Sequence, residues 1–160
     1  MIFKKSTYNL ILASIFALLL SACAQQAAKI DSQIQGDVYT GTDTVEYLAD
    51  GVPDRVFFAT NESVLTTASR DTLRKQAAWL RKNSDINVVL EGHADERGTR
   101  EYNLALGERR ANAAKDYLMT YGISGKRISV ISYGKEKPVN PASTPLAWSQ
   151  NRRSVTVKTN

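Results

Sequence analysis

Residues 91–111 read EGHADERGTREYNLALGERRA, and this stretch decides the fold because a strand end, a Gly-flanked loop and a helix follow one another within it. The loop carries a carboxylate, Asp95. From Glu101 to Tyr121 apolar residues recur at the spacing of a helix, in which each residue turns by about 100°. One inward face is predicted, which contains Asn103, Leu106, Gly107, Arg110, Ala113, Ala114, Tyr117, Leu118 and Tyr121.

Arg110 is the one cation on that inward face, whereas Arg109 falls on the polar face and is expected to be solvated. An inward guanidinium without a partner is energetically costly, so we expect Arg110 to have one. Its planar fork suits a carboxylate. One alternative is an internal salt bridge to Asp95, Glu91 or Glu96. The other is the carboxylate of a ligand, in which case Asp95 and Arg110 form a pair suited to a zwitterion.

Four segments carry a resemblance to a known family: EGHADERGT, EYNLALGERRANA, ISYGKEKP and SQNRRSV, in this order and spacing. Over residues 54–158 the chain resembles the OmpA-like peptidoglycan-binding domain. The resemblance implies an α/β (α+β) fold of βαβαββ order, in which a mixed four-stranded sheet carries helices on one face. It also implies a binding domain rather than an enzyme, and we place this domain at residues 52–160.

The resemblance also assigns residues to a site. In the family, a loop Asp and a helix Arg hold the free ammonium and carboxylate of meso-diaminopimelate in uncrosslinked peptidoglycan stem peptides. These positions correspond to Asp95 and Arg110. His93 is expected to fix the loop through its ring nitrogens. The full set of expected peptidoglycan-binding residues is Asp95, Arg110, Asn103, His93 and Leu106.

Two positions depart from the family pattern. Gly107 stands where many members have Ser, although glycine also occurs there in the lipid-anchored members. The run from Phe57 to Asn61 lacks the acidic residue that many of those members have near the first strand. Contacts from the loop Ala59 to Asn61 are therefore expected to come from backbone groups.

The resemblance further implies protein partners. Lipid-anchored members of the family bind TolB, a periplasmic β-propeller protein, and through it the Tol complex, which maintains the outer membrane and acts in cell division. The surface expected to be shared between TolB and peptidoglycan is the start of the second helix together with the loop Glu96, Arg97, Gly98 and Thr99.

The N-terminus has the layout of a lipoprotein signal peptide, residues 1–22. Two lysines precede an apolar run at 10–20, which is too short to span a bilayer, since a spanning helix needs about 20 apolar residues. The segment LSAC at 20–23 resembles a bacterial lipobox, so Cys23 is expected to carry covalent lipid. Several acyl chains together anchor a protein stably. Ala24 rather than Asp follows, which favours the outer membrane, with the domain facing the periplasm.

Residues 23–51 are predicted to form the lipidated N-terminus and a flexible tether, because they contain few large apolar side chains. Beyond them the hydrophobic periods predict strands at 55–60, 86–91, 128–133 and 154–158 and helices at 67–82 and 101–121. Three prolines between residues 134 and 153 predict a loop, with one helical turn at 146–150.

Composition argues against several function classes. His93 is the only histidine, and no second His or Cys lies outside the lipobox, so no metal site is expected. No catalytic series is recognisable, and no cofactor is expected beyond the covalent lipid on Cys23. The formal net charge of +5 becomes 19 − 16 = +3 without Lys4 and Lys5. The sequence lacks a basic patch with interleaved aromatic residues, which argues against binding to nucleic acid. A cell-wall hydrolase and a purely structural lipoprotein are the alternative functions.

Overall fold

The structure, a computed structural model, describes residues 37–159. The predicted signal peptide, Cys23 and the first part of the predicted tether lie outside the described residues. The strands are β1 (Tyr47–Ala49), β2 (Val52–Pro53), β3 (Arg55–Phe57), β4 (Asn87–His93), β5 (Ile128–Gly134) and β6 (Arg153–Thr159). The helices are α1 (Thr67–Lys82), α2 (Arg100–Thr120) and α3 (Pro145–Asn151), with a 3₁₀ turn at Gly125–Arg127.

Strands β3 to β6 form a mixed sheet in the order β3-β6-β4-β5. Strand β6 pairs antiparallel with β3 and with β4, whereas β4 and β5 are parallel. The predicted α/β (α+β) fold with a mixed four-stranded sheet is thereby confirmed. These directions make β3, β4 and β5 end at one edge of the sheet, where β6 begins, so the segments that join them there lie close together.

The two long helices pack on the sheet face that carries Val88 and Leu90, which are 1% and 0% exposed. On α1 the apolar residues Leu73, Ala77 and Leu80 are buried. On α2 the buried positions largely follow the predicted inward face. Each fully buried leucine contributes roughly 1.5–3 kcal/mol relative to an exposed one. The core contains Val56, Phe58, Leu65, Leu73, Ala77, Leu80, Val88, Leu90, Ala111, Ala114, Leu118, Ile123 and Ile128.

Threonine side chains set the start of each helix. The hydroxyls of Thr66, Thr99 and Thr144 each accept a hydrogen bond, at 3.2 Å, from the backbone N–H three residues later. Such a cap satisfies one of the unpaired N–H groups of the first turn and contributes about 1 kcal/mol. Helix α1 begins and ends where the sequence predicts, and α2 is shifted by one residue.

Helix α2 crosses β4 at unusually close range because two glycines face each other. A Cβ on Gly92 would overlap the carbonyl group of Gly107, and a Cβ on Gly107 would overlap the hydroxyl of Ser132. That hydroxyl is held in place, since it donates to the Leu104 carbonyl at 2.7 Å. The glycine at position 107 is therefore required by helix-to-sheet packing, and the close approach brings Arg110 under the end of β4.

The last part of the predicted tether packs on the domain, which corrects the boundary at Gly51. Strands β1 and β2 pair antiparallel, and Leu48 in β1 is 5% exposed. The ring of Tyr39 contacts Phe57 edge-on, with ring centroids 4.8 Å apart. The prediction was wrong here because isolated apolar residues become buried only through tertiary contacts. The predicted flexibility of residues 24–36 lies outside the described residues.

The close approach of Gly92 and Gly107 leads to a prediction about the stability of the domain. We expect Gly92→Ala to lower the free energy of unfolding by about 3 kcal/mol or more, because the added methyl group meets backbone and not a movable side chain. Gly125→Ala is the matched control, since its Cβ would meet only the flexible end of Met119 at 3.3 Å. Urea denaturation of both variants measures the difference, and equal midpoints would contradict the packing explanation.

Candidate functional site

The candidate site lies at the sheet edge where β3, β4 and β5 end. Three segments meet there: the loop that follows β3, the loop 94–99 that follows β4, and the residues that precede β6. The middle of α2 lies beneath them, because Arg110 donates hydrogen bonds into the first loop and to the end of β4. Residues that are far apart in sequence thus form one polar cluster.

Arg110 is the centre of this cluster and is 0% exposed. Its guanidinium donates three hydrogen bonds to backbone carbonyls: Nε to Glu62 at 2.8 Å, Nη1 to His93 at 2.8 Å and Nη2 to Ala59 at 3.0 Å. Burial, followed by repulsion from Arg152, lowers the pKa of Arg110 to about 10, so it remains charged at neutral pH. The side chain joins the loop after β3 to the end of β4.

Asp95 lies above Arg110 and is bound by two other arginines. Its Oδ1 accepts from the backbone N–H and Nε of Arg97, both at 3.1 Å. Its Oδ2 accepts from Arg97 Nη2 at 2.7 Å and from Arg152 Nη1 at 3.3 Å. Burial alone would raise the pKa of Asp95, but the hydrogen bonds from Arg97 and the attraction of its charge outweigh burial and lower it. The carboxylate is ionised at neutral pH.

Arg152 connects Asp95 to a second carboxylate, that of Asp37. Its Nε donates to the Phe58 carbonyl at 3.1 Å, and its Nη2 donates to Oδ1 of Asp37 at 3.1 Å. The other oxygen of Asp37 accepts from the backbone N–H of Thr60 at 2.8 Å. A guanidinium and a loop amide therefore converge on one carboxylate, which is the arrangement expected of a carboxylate-binding position.

The loop Glu96–Thr99 is fastened at several points. Lys135 donates to the carbonyls of Glu96 and Gly98 at 3.2 and 2.7 Å. The indole of Trp148 donates to Glu96 Oε1 at 2.8 Å, and the guanidinium of Arg97 lies over its ring, 4.4 Å from the centroid. The side-chain amide of Asn103 donates to the Arg97 carbonyl at 2.9 Å. These contacts hold the loop in a defined conformation while leaving its outer side exposed.

Comparison with known proteins agrees with this geometry. Residues 57–152 match the model of the OmpA family. The chain belongs to the OmpA family. It is 55% identical over 106 residues to the peptidoglycan-associated lipoprotein of Rhizobium meliloti, an alignment that covers 66% of this chain and 60% of that protein. It is 42% identical over 154 residues to that of Mesorhizobium japonicum, which covers 94% of this chain and 92% of the relative.

Solved structures of OmpA-like domains show the same fold. The crystal structure of the peptidoglycan-associated lipoprotein from Burkholderia pseudomallei superposes with a TM-score of 0.65 at 34% identity, covering 66% of this chain and 90% of that one. The C-terminal domain of Helicobacter pylori MotB gives a TM-score of 0.62 at 18% identity, covering 67% of this chain and 84% of that one. The second likeness concerns the fold alone.

Of the site residues predicted from the OmpA-like motifs, Asp95, Asn103 and Arg110 lie together. Leu106 is 3% exposed and packs inside the domain beneath the site. The predicted internal salt bridge of Arg110 with Asp95, Glu91 or Glu96 is absent from the described residues, which corrects that alternative. Backbone carbonyls take its place because the glycine contact brings α2 close enough for the guanidinium to reach them.

His93 does not fix the loop through its ring, which corrects a second prediction. The side chain is 2% exposed, and neither ring nitrogen has a hydrogen-bond partner within residues 37–159. Its contribution to the site is the backbone carbonyl that accepts from Arg110. Burial, reinforced by the nearby charge of Arg153, lowers the pKa of His93 to about 3, so the ring is neutral. The ring lies 3.7 Å from Glu91, too far for a hydrogen bond.

The structure adds two residues that the sequence reasoning missed, Arg152 and Asp37. Arg152 belongs to one of the four motif segments, SQNRRSV, and a search for cations at the start of β6 could have found it. Asp37 gave no signal, because it lies in a polar segment that resembles a tether. Arg97 was predicted as a partner contact, and the structure shows in addition that it is bound to Asp95.

Two absences concern the part of the chain from Asp37 onwards. No three His, Cys, Asp or Glu side chains there are placed to share a metal ion. No helix in this part has the length and apolar content to cross a membrane.

The carbonyl contacts of Arg110 predict that charge alone cannot replace it. We expect Arg110→Lys to lower the free energy of unfolding by about 3 kcal/mol, because one ammonium cannot reach three carbonyls arranged around a planar fork. The control is Arg109→Lys, which alters an exposed side chain and should change stability by less than about 0.5 kcal/mol. Urea denaturation tests the pair, and a stable Arg110→Lys variant would refute the structural role.

The neutral His93 predicts a pH dependence of stability. Its pKa in the folded state, about 3, lies below its ordinary value of 6.5, so below pH 6.5 the unfolded state binds a proton that the folded state does not. The stabilisation is complete above that pH and is lost as the pH falls. From pH 6 to 4.5 the wild type should lose about 2 kcal/mol more than His93→Leu.

Chemical denaturation at several pH values measures this loss. The interval ends above the ordinary pKa of Asp37 and Asp95, 3.8, so these carboxylates contribute little within it. Parallel pH profiles of wild type and His93→Leu would show that the ring is not held neutral by burial.

Proposed function

We propose that this protein is an outer-membrane lipoprotein that binds the diaminopimelate stem peptide of peptidoglycan without covalent chemistry. The observation that carries the proposal is the meeting of one carboxylate, Asp95, with two buried guanidiniums, Arg110 and Arg152, at a single edge of the sheet. Groups of opposite charge at that edge suit a ligand that carries both charges. The relatives, named peptidoglycan-associated lipoproteins, support the same ligand class.

The proposed contacts follow from the charges. Asp95 receives the free ammonium at the distal end of diaminopimelate. The distal carboxylate lies against the Thr60 amide and Arg152, where the structure already places a carboxylate. Arg110 uses three of its five N–H donors on backbone carbonyls, and we assign the remaining ones, with its uncompensated charge, to the same carboxylate. Asn103 maintains the loop that presents Asp95.

Discrimination follows from the carboxylate position. A stem peptide with lysine in place of diaminopimelate keeps the amine but lacks the distal carboxylate. The Thr60 amide and Arg152 then make no contact with the ligand, so the complex lacks an interaction that contributes about 1–3 kcal/mol. The site is therefore proposed to select the diaminopimelate type of cell wall.

The wider role is also a proposal. Lipid on Cys23 would anchor the chain in the outer membrane, and the domain would hold that membrane to the cell wall from the periplasmic side. TolB and the Tol complex are the proposed partners, with the exposed outer side of Glu96–Thr99 as the shared surface. No catalytic step and no cofactor other than the covalent lipid form part of this proposal.

Calorimetry of the full chain in detergent tests the ligand. We expect the diaminopimelate stem peptide to bind at least about tenfold more tightly than its lysine analogue. Asp95→Asn should weaken binding of the diaminopimelate peptide by at least about 30-fold, since it leaves the ligand ammonium without a counter-charge. Asp85→Asn, which alters an exposed carboxylate at the opposite end of β4, is the matched control.

Thermal unfolding of each variant tests whether the variant keeps its fold. Equal affinity for the two peptides, or no binding of either, would overturn the proposed ligand and favour a structural lipoprotein. New products from a cell-wall digest with the purified chain would favour the hydrolase alternative.

A further inference from the structure

The carboxylate of Asp37 occupies the position that the proposed function assigns to the ligand's carboxylate. It lies at the beginning of the described residues and reaches the loop after β3. Besides the bonds from the Thr60 amide at 2.8 Å and Arg152 at 3.1 Å, the Asp37 backbone carbonyl accepts from Arg152 Nη2 at 2.6 Å. The hydrogen bonds from Thr60 and the charge of Arg152 lower the pKa of Asp37 despite the opposing effect of burial, so the carboxylate is ionised.

The guanidinium of Arg97 occupies the complementary position on Asp95. Together with the backbone N–H of Arg97 and with Arg152, it brings four donor contacts to this carboxylate. A carboxylate has about four acceptor sites, so Asp95 has no capacity left for a ligand ammonium. An incoming ammonium must therefore replace the Arg97 side chain.

The side chains of Asp37 and Arg97 are more exposed to solvent than the groups that they contact. The side chains of Asp37 and Arg97 are 51% and 43% exposed, whereas those of Arg152 and Asp95 are 3% and 9% exposed. Exposed ion pairs contribute little to stability, because water competes for both charges. The receiving groups are thus built into the domain, and the occupying groups are on its surface, where they can leave.

We propose that Asp37 and Arg97 are internal stand-ins for the carboxylate and the ammonium of the ligand, so that the site is self-occupied when no peptidoglycan is bound. This inference rests on the proposed function. Binding is then an exchange, in which the ligand's carboxylate displaces Asp37 from the Thr60 amide and Arg152, and its ammonium displaces Arg97 from Asp95.

The exchange makes the site selective for a ligand with both charges. A zwitterion replaces both stand-ins and leaves every buried charge paired. A ligand with an amine alone replaces only Arg97, and Asp37 stays in place. The stand-ins also touch one residue in common, since Arg97 Nη2 donates to the Thr60 hydroxyl at 3.3 Å while the Thr60 amide donates to Asp37. When Arg97 is displaced from Asp95, its guanidinium can keep its contact with the ring of Trp148.

Removing the internal carboxylate tests the inference. A binding-competent state that is only partly populated reduces apparent affinity by its population, so vacating the position should tighten binding. We expect Asp37→Asn to increase affinity for the diaminopimelate stem peptide by about fivefold and to leave affinity for the lysine analogue unchanged. Asp85→Asn removes the same charge from a distant exposed site and is expected to change neither affinity.

The second variant addresses the other stand-in. Arg97→Gln vacates the ammonium position, so it is expected to tighten binding of both peptides, since both carry the amine. All measurements use calorimetry of the full chain in detergent, with thermal unfolding as the check on folding. Hydrogen exchange of the segment containing Thr60 gives a readout without ligand: Asp37→Asn should speed exchange there, and Asp85→Asn should not.

The outcomes separate this inference from the proposed function. If the wild type binds the diaminopimelate peptide and Asp37→Asn binds it equally or more weakly, the stand-in role is refuted while the ligand stands. If neither the wild type nor Asp37→Asn binds the peptide, the proposed function itself fails. Binding that appears only after Asp37→Asn would support the stand-in role in its strongest form. Unchanged hydrogen exchange at Thr60 would count against the contact in solution.

Discussion

The contact of Arg110 with three backbone carbonyls is the interaction on which the rest of the site depends. A guanidinium that is 0% exposed needs hydrogen-bond partners, and carbonyls from the loop after β3 and from the end of β4 supply them. The same bonds keep two otherwise separate segments at a fixed distance. Because neutral carbonyls satisfy the donors without cancelling the charge, Arg110 also leaves a positive potential beneath the candidate site.

Above this contact, charges alternate in one connected network. Arg110 and Arg152 repel each other across the loop, Asp95 is placed between Arg152 and Arg97, and Asp37 completes the series on the outer side. Buried ion pairs contribute little net stability, since desolvation offsets most of the attraction. Their value here is in position, because the buried pair of Asp95 and Arg152 joins the loop after β4 to the residues that precede β6.

Much of the fold could be predicted from local signals. Hydrophobic periodicity predicted the correct bounds of α1 and placed α2 within one residue, and the helical turn predicted at 146–150 lies within α3. The resemblance to OmpA-like domains brought Asp95, Asn103 and Arg110 into one site. The pairing of β1 with β2 and the burial of Tyr39 could not be predicted, because these residues carry no periodic pattern and gain their burial from partners distant in sequence.

The sequence by itself determined two of the charged groups at the site, Arg110 and Asp95, because an inward guanidinium on an amphipathic helix and a carboxylate in a Gly-flanked loop are local patterns. Only the tertiary structure decided which charges contact each other. Within the described residues Arg110 binds carbonyls and not the internal carboxylate that was one expectation. Arg152, 57 residues from Asp95, and Asp37, 23 residues from Thr60, complete the cluster. The reason is physical: hydrogen-bond partners are chosen by distance and direction in space, which depend on strand order and on the close approach of Gly92 and Gly107.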